Sequence, residues 1–93
     1  MGHHNLIGPQ VRLLRTQRRW TQRCLAEKLK TAGLNTSRSG LAKIEARMIG
    51  VTDYELFYFA CVFQVSLYEL FPPIDPSDPN LHDTLAQHLK NHT

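Results

Sequence analysis

The chain has 93 residues, 42% of them hydrophobic, a net charge of +3 and only two cysteines. That length suits one small domain with little room for a deep catalytic cleft, and the apolar content excludes a wholly disordered chain. No apolar run reaches membrane-spanning length, the N-terminus lacks a secretory hydrophobic stretch, and Cys24 and Cys61 form neither a redox CxxC nor a metal knuckle, so a cytoplasmic chain with no membrane partner is expected.

The charge is unevenly distributed. Residues 1–47 carry ten Lys and Arg against Glu27 and Glu45, a balance of +8, whereas residues 48–93 carry Lys90 against six carboxylates, a balance of −5. A basic half of this kind suits a polyanionic partner, nucleic acid foremost, although basic faces also serve acidic proteins and membranes.

In chain order, Pro9 after Gly8 suits a first helical turn, and Ile7, Val11 and Leu14 follow at helical spacing, predicting a helix over residues 9–19. Thr21 is a good N-cap for a second helix, with Trp20 placed to staple onto Leu25. That helix turns Leu25, Ala26 and Leu29 inward and stops at Gly33. Ser37 caps a third helix anchored by Leu41 and Ile44. Its leading turn, Ser-Arg-Ser-Gly, is a poor set of helix formers and leaves a polar, positive end.

Thr52 and Glu55 form a capping box flanked by a Val51–Leu56 staple, opening a fourth helix that ends near Phe63. Ser66 and Glu69 repeat the design, with Val65 and Leu70 as staple, for a short fifth helix ending at Phe71. On the fourth helix Leu56, Phe59, Ala60 and Phe63 make a core stripe. A second stripe of Tyr54, Tyr58, Cys61 and Val65 lies where a solvated helix would be polar. Either a later segment covers it or it is a homodimer surface.

Residues 72–80 ("PPIDPSDPN") hold four prolines and read as an extended linker. In 81–93 Leu81, Leu85 and Leu89 recur at i, i+4 and i+8, with Asn80 available as a cap. A lone helix of that length is marginal in water, so it is packed, on its own domain or on a partner, or it is frayed. The expected organisation is an all-α domain at 1–71, the linker, and a short amphipathic C-terminal segment.

Five histidines invite a metal reading, but His88 and His92 at i, i+4 have no third ligand at suitable spacing, and His3 and His4 lie at the far end. Neither cysteine has a catalytic dyad nearby in sequence. No enzyme, metal site or cofactor is expected.

The segments "WTQRCLAEKL", "SRSGLAKIEAR", "TDYELFYFACVF" and "VSLYELF" together resemble the lambda-repressor/Cro type of helix-turn-helix DNA-binding domain, the Xre family, over residues 7–71. The resemblance implies a five-helix fold in which the second helix crosses the DNA backbone and the third enters the major groove. It places Arg38, Ser39 and Lys43 where base edges are read, Arg38 or Lys43 being suited to guanine O6 and N7. Gly40 would let the backbone approach DNA closely. Gln22 matches the family's phosphate-contacting glutamine, and Arg47 is expected to reach a second phosphate, with Arg19 and Arg23, like Arg18, as weaker phosphate candidates. Arg15 is expected to pair with Glu45, tying the first helix to the third.

The resemblance implies a transcriptional regulator of prokaryotic or phage type, a repressor acting as a homodimer on a palindromic operator in double-stranded DNA. The rival expectation is a protein-interaction module, the antitoxin or adaptor half of a complex, docking a second protein chain through 81–93. One departure stands out: "KTAGLNTS" makes the turn between the second and third helices about five residues longer than the usual short turn. Either the second helix is extended or a loop bulges near DNA.

Overall fold

The computed structural model describes residues 5–90. Within them run five α-helices: α1 (Gly8–Gln17), α2 (Gln22–Ala32), α3 (Arg38–Glu45), α4 (Asp53–Phe63) and α5 (Leu81–Lys90). A single 3₁₀ turn lies at Leu67–Leu70, and no strand occurs among the described residues. Residues 1–4 and 91–93 lie outside them, and with them the histidines His3, His4 and His92.

Most helix starts follow local side-chain chemistry. Thr21 accepts from the Cys24 amide at 3.0 Å, and Ser37 accepts from the Gly40 amide at 2.9 Å. Thr52 and Glu55 form the reciprocal capping box expected of them. Each cap satisfies amide donors that have no carbonyl four residues back. The start of α1 is different. Its N-cap, Ile7, has no capping side chain, and Asn5 supplies one from outside, its Oδ1 accepting from the amides of Ile7 and Gly8.

The helix ends share one design. After α1, α2 and α3 a residue in a positive-φ conformation reverses the chain, and two amides fold back onto the carbonyls of the last turn. Gly33 does this after α2, with φ at 121°. After α1 and α3 the same position holds Arg19 and Arg47, with φ of 59° and 60°, where glycine would relieve about 1 kcal/mol of strain.

The core is one cluster, built around Val11, Leu25, Leu29, Leu41, Phe59, Phe63 and Leu70. Helix α2 packs on α4 and α3, and α1 packs on α3 and α4. Full burial of a Leu or Phe side chain contributes about 1.5–3 kcal/mol, so these few residues dominate the stability of so small a body. Trp20 lies on the rim, its ring stacked on Phe63 at 5.8 Å between centroids, with the Lys28 ammonium 4.6 Å from its face.

Three local expectations change in detail. The residues beyond α2 do not bulge outward: α2 runs to Ala32, Gly33 turns the chain, and Leu34 is buried as an anchor before Ser37 opens α3. The fifth helix predicted after Ser66 is only the 3₁₀ turn, although Ser66 still donates its amide to Glu69 at 2.7 Å. The start of α5 is organised by Asp78 rather than by Asn80. The Asp78 carboxylate accepts from the Asn80 amide at 2.8 Å and from the Thr84 hydroxyl at 2.9 Å. Within the linker, the Ser77 amide and hydroxyl both donate to Asp75 and hold its carboxyl below the usual carboxylate range.

Helix α5 packs back on its own chain. Leu85 and Leu89 face Leu6, Ile7, Val51, Leu56 and Phe71 across an apolar cleft. No helix among the described residues is long and apolar enough to cross a membrane.

Candidate nucleic-acid interface

Helix α3 has one buried side and one open side. Leu41 and Ile44 lie in the core, while Arg38, Ser39 and Lys43 are exposed. With Ser37 capping the first turn, Arg38 and Ser39 are held at a helical end whose shape does not depend on their own side chains. A methyl group added at Gly40 would meet the hydroxyls of Ser37 and Thr36 only at 3.4 Å, an ordinary contact. Packing within the chain therefore places no demand for glycine there.

The last residue of α3 is fixed by three side-chain donors. Glu45 takes the Arg15 Nε at 2.7 Å and Nη2 at 3.0 Å, and the Gln22 amide at 3.1 Å. Arg15 also donates to the Trp20 carbonyl at 2.8 Å. The side chains of Arg15 and Glu45 are only 12% and 3% exposed. A two-pronged guanidinium–carboxylate contact fixes orientation as well as distance. Side chains from α1 and α2 thereby set the angle of α3.

The close approach of α1 to α3 is marked by Gly8. A Cβ there would lie 2.4 Å from the Ile44 carbonyl oxygen, inside any tolerable contact. Asn5, 1% exposed, completes this junction by donating from Nδ2 to the carbonyls of Ile44 at 2.9 Å and Ile49 at 3.0 Å. No pattern of periodicity pointed to Asn5. Its only signal in the sequence was an amide residue just ahead of a helix that lacks a capping side chain.

The predicted phosphate contacts divide. Arg19 and Arg23 are exposed, Arg23 only 3.6 Å from Glu27 along α2. Gln22 is half-buried with its amide engaged by Glu45. Arg47 follows α3 as expected, but its side chain is enclosed rather than presented to solvent. It is 8% exposed, its stem lies against Gly8, and its guanidinium donates to the His88 carbonyl at 3.0 Å and to the Leu89 carbonyl. Arg19 has the same left-handed backbone and is exposed; what sets Arg47 apart is that α5 brings the His88 and Leu89 carbonyls within its reach.

Arg18 has a similarly internal role. It donates to the Leu14 carbonyl at 2.9 Å and the Phe63 carbonyl at 2.8 Å, closing the ends of α1 and α4. Arg12, by contrast, is exposed and was not singled out from the sequence. It lines a polar cleft of about 410 Å³ between α1, α2 and α3, together with Gln22, Ala42 and Ala46.

The second stripe of α4 is split. Tyr54 and Cys61 are exposed, but Tyr58 is half-buried with its ring over Gly33, and Val65 packs against the core. Helix α5 does not cover the exposed part, since it lies over Val51 and Leu56. Phe57, 64% exposed, joins Tyr54 and Cys61 on this open face and was missed by the spacing chosen from the sequence. The hydroxyls of Tyr54 and Tyr58 are 3.2 Å apart, and this contact raises the Tyr58 phenol above its ordinary value.

Among the described residues no three His, Cys, Asp or Glu side chains gather in a way that could hold a metal ion. No family model, curated protein or solved structure matches the chain.

Proposed function

We propose that the chain is a sequence-specific DNA-binding regulator of prokaryotic or phage type, a homodimeric repressor of the lambda-repressor/Cro-like design that reads a palindromic operator through α3. The observation that carries this reading is the condition of α3. Its leading turn offers Arg38 and Ser39 to solvent with Lys43 on the same open side, while its far end is locked to α1 and α2 through Glu45. A groove-reading helix needs both features: unobstructed polar side chains, and a fixed angle that keeps them in register with the bases.

The charge division supports the same reading, since the ten Lys and Arg of residues 1–47 include every residue proposed to touch DNA except Ser39 and Gln22. Pairing of two subunits is supported by Tyr54, Phe57 and Cys61, which form an open, mostly apolar face on α4. Two copies would read two half-sites, which one small domain does not provide. The rival reading, a docking helix for a second protein, loses support from α5, whose leucines face its own chain.

The test is selection of bound sequences from a random duplex pool, followed by titration of the selected site at several salt concentrations. The expected result is a palindromic consensus and an affinity that falls steeply as salt rises. Recovery of no preferred sequence, with affinity insensitive to salt, would reject the proposal.

A further inference from the structure

Arg47 keeps a strained left-handed backbone that glycine would occupy more cheaply, so the side chain itself warrants explanation. Its guanidinium donates to the carbonyls of His88 and Leu89, in the last turn of α5. The arginine therefore ties this turn of α5 to the chain reversal after α3, from across the molecule.

The rest of the α5 contact is light. None of its residues is buried. Leu85 and Leu89 border an open apolar cleft of about 260 Å³. Leu81 and Leu85 border a second of about 290 Å³, with Tyr68, Phe71 and Ile74. With no fully buried residue in α5, its apolar contacts are partial, and the charge-assisted Arg47 bonds add to what holds it down.

We propose that α5 is a displaceable latch with Arg47 as its catch, and that phosphate and the α5 carbonyls compete for that one guanidinium. The proposal rests on the DNA-binding reading of α3. When α5 is docked, its terminal carbonyls occupy the Arg47 fork. When it leaves, Arg47, which already borders the cleft shared with Arg12 and Gln22, serves a phosphate beside α3. A ten-residue helix is marginal alone, so undocking and unravelling of α5 are coupled. The proline-bearing linker lets the segment depart without disturbing α1 to α4. Because a phosphate oxygen is the stronger acceptor, DNA binding opens the latch, and by reciprocity a closed latch weakens DNA binding.

Two measurements on the full chain test this. In hydrogen exchange, Arg47→Met speeds exchange across residues 81–90 about tenfold while α1 to α4 keep their protection. Unchanged exchange in α5 would overturn the catch. For the second measurement the latch is opened by Leu85→Asn with Leu89→Asn, which leaves net charge untouched, and binding to a short mixed-sequence duplex is titrated against salt. The opened chain binds more tightly, its log–log salt slope is steeper by about 0.9, and adding Arg47→Met cancels both gains. Equal slopes for opened and native chains would overturn the competition. If no variant binds duplex at all, the phosphate half falls together with the reading of α3, while the exchange data still uphold or overturn the latch itself.

Discussion

The guanidinium of Arg15 contacts both carboxylate oxygens of Glu45, at 2.7 and 3.0 Å, joining residues 30 positions apart in the chain. Both side chains are largely withdrawn from water. Removing one partner therefore strands the other's charge, a change that typically costs about 3–5 kcal/mol. Arg15→Ala is expected to lose about 3 kcal/mol, the low end, because Gln22 still donates to Glu45. Replacing both residues by methionine should recover most of that loss, since a well-packed apolar pair has no charge to strand. Urea denaturation of the two single variants and the double variant measures this directly. A double variant as unstable as the singles would show that the pair matters through something other than charge burial.

Asn5 makes four hydrogen bonds from a buried site, to two amides and two carbonyls. Asn5→Ala strips the Ile7 and Gly8 amides and the Ile49 carbonyl of their Asn5 partner, while the Ile44 carbonyl keeps the Arg47 amide, and is expected to cost about 2–4 kcal/mol. Asn5→Asp should be worse than its near-identical shape suggests, because a carboxylate turns an oxygen toward the Ile44 and Ile49 carbonyls where an amide donated. Thermal unfolding of the two variants checks the order, and it should reverse in acid once the aspartate is protonated and can donate again.

Arg38 and Arg23 are both exposed, yet different losses are expected from them. Arg38→Ala is predicted to relax preference at one base pair, reducing discrimination there by about 1–3 kcal/mol. Arg23→Ala is predicted to weaken all sequences alike and to lower the salt slope by about one. Parallel titrations against a selected site and a point-altered site separate the two. Identical behaviour of both variants would move base reading off the leading turn of α3.

Phe57 is the largest apolar side chain on the open face of α4 at 64% exposure, and it contributes little to the core. Phe57→Asp should leave the unfolding transition within about 0.5 kcal/mol of native while shifting sedimentation from dimer to monomer. The variant's affinity for a palindromic site should fall far more than its affinity for a half-site. A variant that remains dimeric would place the subunit contact elsewhere.

Much of the helical layout was legible because its signals are local. Thr21, Ser37 and the Thr52–Glu55 box each act within three residues, so their partners are fixed by the spacing of the chain itself. The core stripes of α2 and α3 were legible for the same reason, since 3.6-residue periodicity places Leu25 with Leu29 and Leu41 with Ile44 on one face. The Ser66–Glu69 pattern was equally visible but could not tell an α-helix from a 3₁₀ turn, because both begin with the same cap.

The destinations of the long cationic side chains were not legible. Arg18, Arg23 and Arg47 are alike in sequence, and only the packed structure sends Arg18 to the end of α4, leaves Arg23 in solvent and turns Arg47 under α5. An arginine side chain can reach any acceptor within its span, so its role depends on which carbonyls the fold brings near. The amino-acid sequence by itself determined where helices start, where they stop and which faces are apolar, because those follow from interactions a few residues long. Tertiary structure alone decided which arginines remain available for a polyanion, because their competing acceptors lie more than 40 residues away in Phe63, His88 and Leu89.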